Sequence, residues 1–408
     1  MNNKVNLCFG EGTVPFDVSL QTRFLDPHEP ENKVDLGRLS LELRALLPSS
    51  LPPGPVAIVV ADKTRLCGYP RILPWLIDLL LSCGISGKQI CFYISYGTHI
   101  RQSEEESLAC YGETYRQFHF VHHESEDRGQ FVTLGTTKRK TPIRIRRDLL
   151  QAGFIITVGA ISHHYFAGFG GGRKLLFPGL AEREAIWANH RLFLDSSIQG
   201  LAPGCTSGQL LGNPLAEDLK EIDEALPHYI SIHGLLGSDG QVVDYRCGRS
   251  YTDFLDVCKI HDHHFRLPND KKYSLVLASA GGFPKDINFI QSHKAINNAA
   301  GFVEDGGHLI VLAQCRDGIG STTFLPYFAL GGAKRAFAEL EKCYSGNGGT
   351  ALSMMAKTRR IRISLLSDLS SELCRQIGVS SISTDQAQAA LLHDNNAAII
   401  KNSSMLIC

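Results

Sequence analysis

Long apolar runs are missing from this chain. No stretch reaches the roughly 18 residues that a membrane-spanning helix needs, so no membrane role is expected. An excess of either charge is missing too: lysine plus arginine total 41, aspartate plus glutamate total 41, and the formal charge is zero. That balance argues against nucleic acid or an anionic membrane as the main partner and leaves a small molecule as the expected ligand. The 12 cysteines contain no Cys-x-x-Cys pair, which argues against a zinc ribbon or an iron–sulfur site and fits buried thiols in a reducing cytoplasm. The opening MNNKVNLCFGEG has no basic segment followed by an apolar core, so no secretory leader is expected. Fixed-period repeats and long low-complexity segments are also absent.

What is present describes an ordinary globular protein, with 43% hydrophobic and 20% charged residues over 408 positions. That length exceeds a usual single core and suggests about two to three domains. Short β-rich runs recur at Val56–Ala61, Gln89–Ser95, Phe154–Ala160, Tyr273–Ala280, His308–Gln314 and Arg360–Leu366. Each is continuously apolar rather than alternating, as expected of strands covered on both faces. Between them lie helix-like segments such as Pro74–Cys83, Glu182–Phe193 and Gln291–Asp305. Strands alternating with helices predict an α/β protein with mostly parallel sheets. The polar, proline-bearing stretch Arg266–Tyr273 suggests a boundary. The expectation is therefore two α/β domains, residues 1–268 and 269–408, with the active site in the cleft between them.

The densest segment is Ser162–Gly179, SHHYFAGFGGGRKLLFPG, followed closely by His190. Ile155, Ile156 and Val158 read as a buried strand, so His163 and His164 should emerge where it ends, the address at which open α/β sheets bind ligands. Other strand ends carry polar groups as well: Asp62-Lys-Thr-Arg65 after Ala61, Tyr96-Gly-Thr-His99 after Ser95, and Gly281-Gly-Phe-Pro-Lys-Asp286 after Ala280. A doubly wound sheet brings such ends to one edge. Asp62 and Arg65 can be read as a helix cap and a surface pair, or Arg65 as a bidentate carboxylate clamp. His163 and His164 are adjacent, so on extended backbone they point to opposite sides and only one can face a cleft. Gly170-Gly-Gly172 before Arg173 and Lys174 suggests a phosphate loop, but the Walker spacing is absent and Leu175 stands where Ser or Thr belongs. The glycines still permit close approach of backbone to ligand. Lys174 is either a solvated lysine or a nucleophilic amine. The basic run Lys138–Arg147 reads as an exposed strand pair without a site role.

Taken together, these residues resemble the nickel-dependent lactate racemase family. Its central signature, Pro-His-x-Phe-Ala-Gly-Tyr-Ser-Gly-Gly-x-Lys-x-x-x-Pro-Gly, is similar to His163-His-Tyr-Phe-Ala-Gly-Phe-Gly-Gly-Gly-Arg-Lys174-Leu-Leu-Phe-Pro-Gly179. Asp62-x-x-Arg65, Gly97-Thr-His99 and Gln291-x-x-Lys294 match further family motifs in order. The resemblance implies a racemase or epimerase of a 2-hydroxy acid, lactate or a related compound. It also implies a nickel-pincer nucleotide (pyridinium-3,5-bisthiocarboxylic acid mononucleotide nickel) joined covalently to Lys174. His190 would ligate the nickel, a soft-donor site with one imidazole suiting that metal. His99 and His164 would be the acid–base pair for the substrate hydroxyl while the Cα hydride passes reversibly to the cofactor, through a planar 2-oxo acid. Arg65 would hold the substrate carboxylate, with Gln291 and Lys294 as further substrate contacts and domain closure part of catalysis. Asp62 and Thr64 near the cofactor phosphate, and Gly171 and Gly172 in the loop, would complete the cofactor contacts. Cofactor-synthesis enzymes are the implied maturation partners, and a homo-oligomer is left open.

The chain departs from the family pattern where His163 replaces a proline found in many members and Gly170 replaces a serine. The first change leaves the role of His163 open, while the His-x-Phe-Ala-Gly match points to His164 as the acid–base residue. Both tryptophans, Trp75 and Trp187, precede the expected boundary, so an aromatic substrate wall from the C-terminal half would be Phe or Tyr. Two alternatives stay open: a different hydride or proton transfer in the same cleft, and a non-catalytic protein that binds the nickel nucleotide or a small acid.

Overall fold

The computed structural model describes residues 3–48, 53–268 and 270–408. They fall into two compact units, each built on its own six-stranded sheet. One unit comprises Glu29–Leu192 and Gln209–His263. Its strands run in the order Val242–Gly248, Tyr229–Leu236, Phe154–Ala160, Val56–Ala61, Ile90–Ser95, His119–His122. All neighbours are parallel except the antiparallel pair of Tyr229–Leu236 with Val242–Gly248. Every residue of Val56–Ala61 is buried, which accounts for the continuous apolar run. Burying each such Val or Ile contributes about 1.5–3 kcal/mol.

The chain order of this sheet places a switch point at its centre. From Val56–Ala61 the chain moves outward to Ile90–Ser95 and His119–His122, then returns to the opposite flank with Phe154–Ala160. The crevice beyond the C-terminal ends of Val56–Ala61 and Phe154–Ala160 is where such sheets bind ligands. Parallel pairing between these two strands ends at Val60 opposite Val158. Beyond it the Tyr69 hydroxyl accepts from the Ala61 N–H at 2.7 Å and donates to the Val158 carbonyl at 3.0 Å. The Tyr111 hydroxyl donates to the Ala61 carbonyl at 2.8 Å. Two buried tyrosines thus satisfy the backbone where the strands part and hold that edge rigid.

Tyr69 begins the helix Tyr69–Ser82, which starts at left-handed Gly68 and buries Ile72, Leu73, Leu76 and Leu80. Pro74, the helix start expected from sequence, lies inside it. The basic run forms the second strand of a hairpin, Phe131–Thr136 with Pro142–Arg146. It is not wholly exposed, because Arg146 is buried against Gln130 and Asp148.

The other unit comprises the chain through His28, Phe193–Gly208 and His264–Cys408. Its sheet is parallel throughout, in the order Ser380–Ser381, Arg362–Leu366, Val303–Leu312, Tyr273–Ser279, Ala397–Ile400, Arg23–Phe24. This differs from a division into residues 1–268 and 269–408. Arg23–Phe24 pairs with Ala398–Ile399, and the hairpin Asn3–Phe9 with Gly12–Val18 packs Leu7 and Phe16 against Leu277, Ile310 and Ile399. Phe193 lies in this unit, its ring 5.7 Å from that of Tyr344. Asn269, at the expected boundary, and Met1 and Asn2, in the stretch read for a leader, lie outside the described residues. The helix expected over Gln291–Asp305 runs only Phe289–Ala299, and Val303 already begins a strand. Six of the twelve cysteines are buried while Cys8 and Cys343 are exposed, so the expectation of buried thiols holds for half of them. Among the described residues no helix is long and apolar enough to cross a membrane.

Candidate active site

A cavity of about 100 Å³ opens at the switch point of the first sheet. Asp62, Arg65, His99, His164, Gly171, Lys174 and His190 all line it. Three of the four strand ends singled out from sequence therefore meet here, on neighbouring strands. The fourth, Gly281–Asp286, follows a strand of the other sheet.

His99 sits in the turn after Ile90–Ser95, where Gly97 adopts φ 57° and donates its N–H to the Gly179 carbonyl at 2.9 Å. Its Nδ1 is 2.6 Å from Oδ2 of Asp62, a carboxylate only 4% exposed, while the His99 side chain is 49% exposed. The other Asp62 oxygen accepts from the backbone N–H and hydroxyl of Thr64 at 2.9 and 2.6 Å. Burial pushes the Asp62 pKa up, but His99, Thr64 and Arg65 outweigh it and bring it down to about 2. An ionised acceptor at that distance keeps a proton on Nδ1, so that in the neutral ring Nε2 is the nitrogen with a lone pair.

His164 has the opposite arrangement. It lies in the short hairpin Ser162–His164 with Gly168–Gly170, and its Nδ1 accepts from the N–H groups of Phe166 and Ala167 at 3.3 and 3.1 Å. A neutral ring so held carries its proton on Nε2. Hence, in their neutral forms, the two imidazoles differ at Nε2: His99 presents an acceptor there and His164 a donor. His163, its neighbour, points elsewhere: Nε2 meets Oδ1 of Asp262 at 2.8 Å, and the side chain is 3% exposed.

Lys174 stands on the single turn Gly172–Leu175, entered through Gly171 at φ 77°. A Cβ on Gly171 would lie 2.4 Å from the Ala160 carbonyl oxygen. This glycine therefore lets the loop close onto its own strand, whereas the sequence suggested an approach to a ligand. The Lys174 side chain is partly open at the cavity but set deep, and burial, followed by the positive charges of Arg65 and Arg173, drives its pKa well below the ordinary lysine value. His190 ends the helix Arg183–His190, with Nδ1 2.9 Å from the Ile186 carbonyl. Burial first, then Lys174, brings its pKa down to about 3, so the ring is neutral with Nε2 as the unprotonated nitrogen.

Several expected residues lie outside the cavity walls. Thr64 clamps Asp62, and Gly172 lines a different, smaller cavity. Gln291 and Lys294 belong to the helix Phe289–Ala299 of the other unit, where the Lys294 amine donates to Oε1 of Gln291 at 2.7 Å. Sequence reasoning placed Asp62 with the cofactor and missed its pairing with His99. The available signal was that both residues follow adjacent strands by a few positions.

A parallel α/β unit with histidines and a lysine converging at its switch point defines a ligand-binding α/β protein with acid–base capacity. Residues 45–202 match the lactate racemase N-terminal domain and residues 269–359 the lactate racemase C-terminal domain; the chain belongs to the lactate racemase family. It is 28% identical over 274 residues to the lactate racemase of Thermoanaerobacterium thermosaccharolyticum, covering 67% of this chain and 63% of that protein. It is 27% identical over 271 residues to the lactate racemase of Lactiplantibacillus plantarum, covering 66% and 62%. The matched stretch thus spans a little over three fifths of each relative. The fold is similar to that of the lactate racemase apoprotein from T. thermosaccharolyticum, with TM-score 0.87, 21% identity and 99% of both chains covered. It is also similar to a Thermotoga maritima protein, with TM-score 0.71, 16% identity, and 93% and 99% covered.

Proposed function

We propose that this chain is an isomerase that interconverts the configurations of a 2-hydroxy acid, lactate or a relative, with a nickel-pincer nucleotide carried on Lys174. The observation that carries this reading is the convergence of His99, His164, Arg65, Lys174 and His190 on one cavity. Such a group fits the chain in two respects. Burial and the neighbouring arginines favour the uncharged form of the Lys174 amine, the form that can be acylated. His190 presents a neutral Nε2, and among the described residues no group of three His, Cys, Asp or Glu side chains could hold a metal by itself. The protein therefore offers one imidazole to a metal whose other donors come with the cofactor. When bound, that group supplies a reversible acceptor for the hydrogen at Cα.

The residues of the chain would do the rest. Arg65, whose guanidinium makes no ion pair among the described residues, would hold the substrate carboxylate. Nε2 of His99 would take the hydroxyl proton of one enantiomer as the planar 2-oxo acid forms. His164 would serve the hydroxyl of the other enantiomer, its Nε2–H donating a hydrogen bond to that oxygen in the neutral ring and a proton being delivered only from the imidazolium form. Gln291 and Lys294 are carried as further substrate contacts by the family resemblance.

The test is the intact mass and nickel content of protein co-expressed with the cofactor-synthesis enzymes, beside Lys174→Ala, followed by chiral analysis of several 2-hydroxy acids. Added mass with nickel, lost in the variant, and racemisation by the loaded protein are expected. Loaded protein that isomerises none of them would leave a carrier of the nickel nucleotide. An unmodified mass without nickel would overturn the cofactor assignment.

A further inference from the structure

Arg173, one position before Lys174, is buried at 2% exposure and is among the largest fully buried side chains. None of its three guanidinium nitrogens has a protein hydrogen-bond partner, and among the described residues it forms no ion pair. A buried cation whose donors are unmet is among the most costly arrangements in a protein. The rings of Phe254 and Tyr251 lie under the guanidinium carbon at 4.6 and 5.3 Å. They stabilise its charge but leave its in-plane N–H groups without oxygen or anion acceptors.

Arg173 lines a second cavity, distinct from the first and about 10 Å³ in volume. His233 also lines it, 2% exposed, with an Nδ1 that has no partner. Ser231 contributes a hydroxyl shared with Thr157 at 2.8 Å, and Arg249 stands exposed at the wall. The acidic residue present, Asp223, accepts the Tyr229 hydroxyl at 2.6 Å and lies too far from Arg173 for an ion pair. It offsets charge through space without meeting the guanidinium donors. Burial keeps His233 neutral, with a pKa down to about 4. Two arginines against one aspartate therefore leave the walls net positive. A cavity with room for about one water-sized probe excludes a phosphate ester or a nucleotide.

We propose that this cavity is a binding site for a small monovalent anion of chloride size, with the Arg173 guanidinium as its principal donor and His233 and Ser231 as supporting contacts. The site does not depend on the isomerase reading. Because Arg173 and Gly172 sit in the turn that carries Lys174, the anion would fix that turn by satisfying its buried arginine.

The test compares thermal unfolding in chloride and in gluconate, which is too large for the cavity, at equal ionic strength, for the full chain and for Arg173→Met. Chloride should raise the melting temperature of the parent protein saturably, by roughly 2 °C or more, and should not do so in R173M. Crystals of the parent protein grown in bromide should show an anomalous peak beside the guanidinium. Equal melting in both salts, or an ordered water and no bromide in the cavity, would overturn the proposal. The bromide experiment needs no variant, so it decides the question even if R173M does not fold.

Discussion

Oδ2 of Asp62 and Nδ1 of His99 are 2.6 Å apart, and the buried carboxylate is locked from behind by Thr64. His99 is half exposed, so this carboxylate, more than packing, fixes which ring nitrogen carries the proton. Asp62→Asn keeps the shape but can donate its amide N–H to Nδ1, stabilising the tautomer whose proton sits on Nε2. Turnover of a 2-hydroxy acid by the loaded enzyme should fall by roughly 10²- to 10⁴-fold, the range for losing a general base. The added mass on Lys174 should be unchanged. Unaltered turnover in D62N would show that His99 is oriented by something else.

Only half of that pairing was legible in sequence, for a physical reason: both residues visibly follow strands by a few positions, but nothing local says that the two strands are neighbours. Continuous apolar runs mark buried parallel strands, which is why Val56–Ala61 and Phe154–Ala160 were placed correctly. Their order in the sheet is a long-range property, and Asp62 and His99 meet only because Val56–Ala61 and Ile90–Ser95 are neighbours. Similarly, nothing local in Arg23–Phe24 announces that it pairs with Ala398–Ile399. Short motifs located the cavity because its walls follow directly from strand ends. They did not separate Gly171 from Gly172, or Lys174 from Arg173, whose side chains serve different cavities.

Lys174 makes a prediction about the apoprotein. Its pKa in the folded state lies well below that of an ordinary lysine. Between the two values the unfolded chain binds a proton that the folded chain does not, so this residue's contribution to stability rises with pH. Lys174→Met should melt higher than the parent apoprotein at pH 7, with the gain shrinking as pH approaches about 10.4, the unperturbed lysine value. A gain independent of pH, in melting curves recorded from pH 6 to 10, would show that the amine is charged in the fold.

Acid should destabilise the protein through buried histidines. Burial brings His123 and His233 down to about 4, and both are at most 3% exposed. Below about pH 6.5 the unfolded chain protonates these rings while the folded chain keeps them neutral, so stability falls as pH drops toward 4. At pH 5 each contributes a loss of up to about 2 kcal/mol. Urea midpoints at pH 7 and pH 5 should show this fall, and His123→Gln should reduce it. An identical difference in the variant would exclude His123 from the effect.

His163 and His164 are one residue apart yet occupy different surroundings, as their alternation on a strand requires. His163 lies 2.8 Å from Asp262, with its ring 4.6 Å from that of His261 and 5.2 Å from Phe169. His164 lines the cavity. Replacing each by glutamine should therefore separate stability from turnover. His163→Gln should lower stability by about 1–3 kcal/mol, the cost of disturbing a buried polar contact, while the folded fraction keeps its turnover. His164→Gln should change the melting temperature less and lower turnover by roughly 10²-fold or more. Both should load cofactor equally by intact mass, since neither is the attachment residue. A greater loss of turnover in H163Q than in H164Q, at equal loading, would transfer the acid–base role to His163.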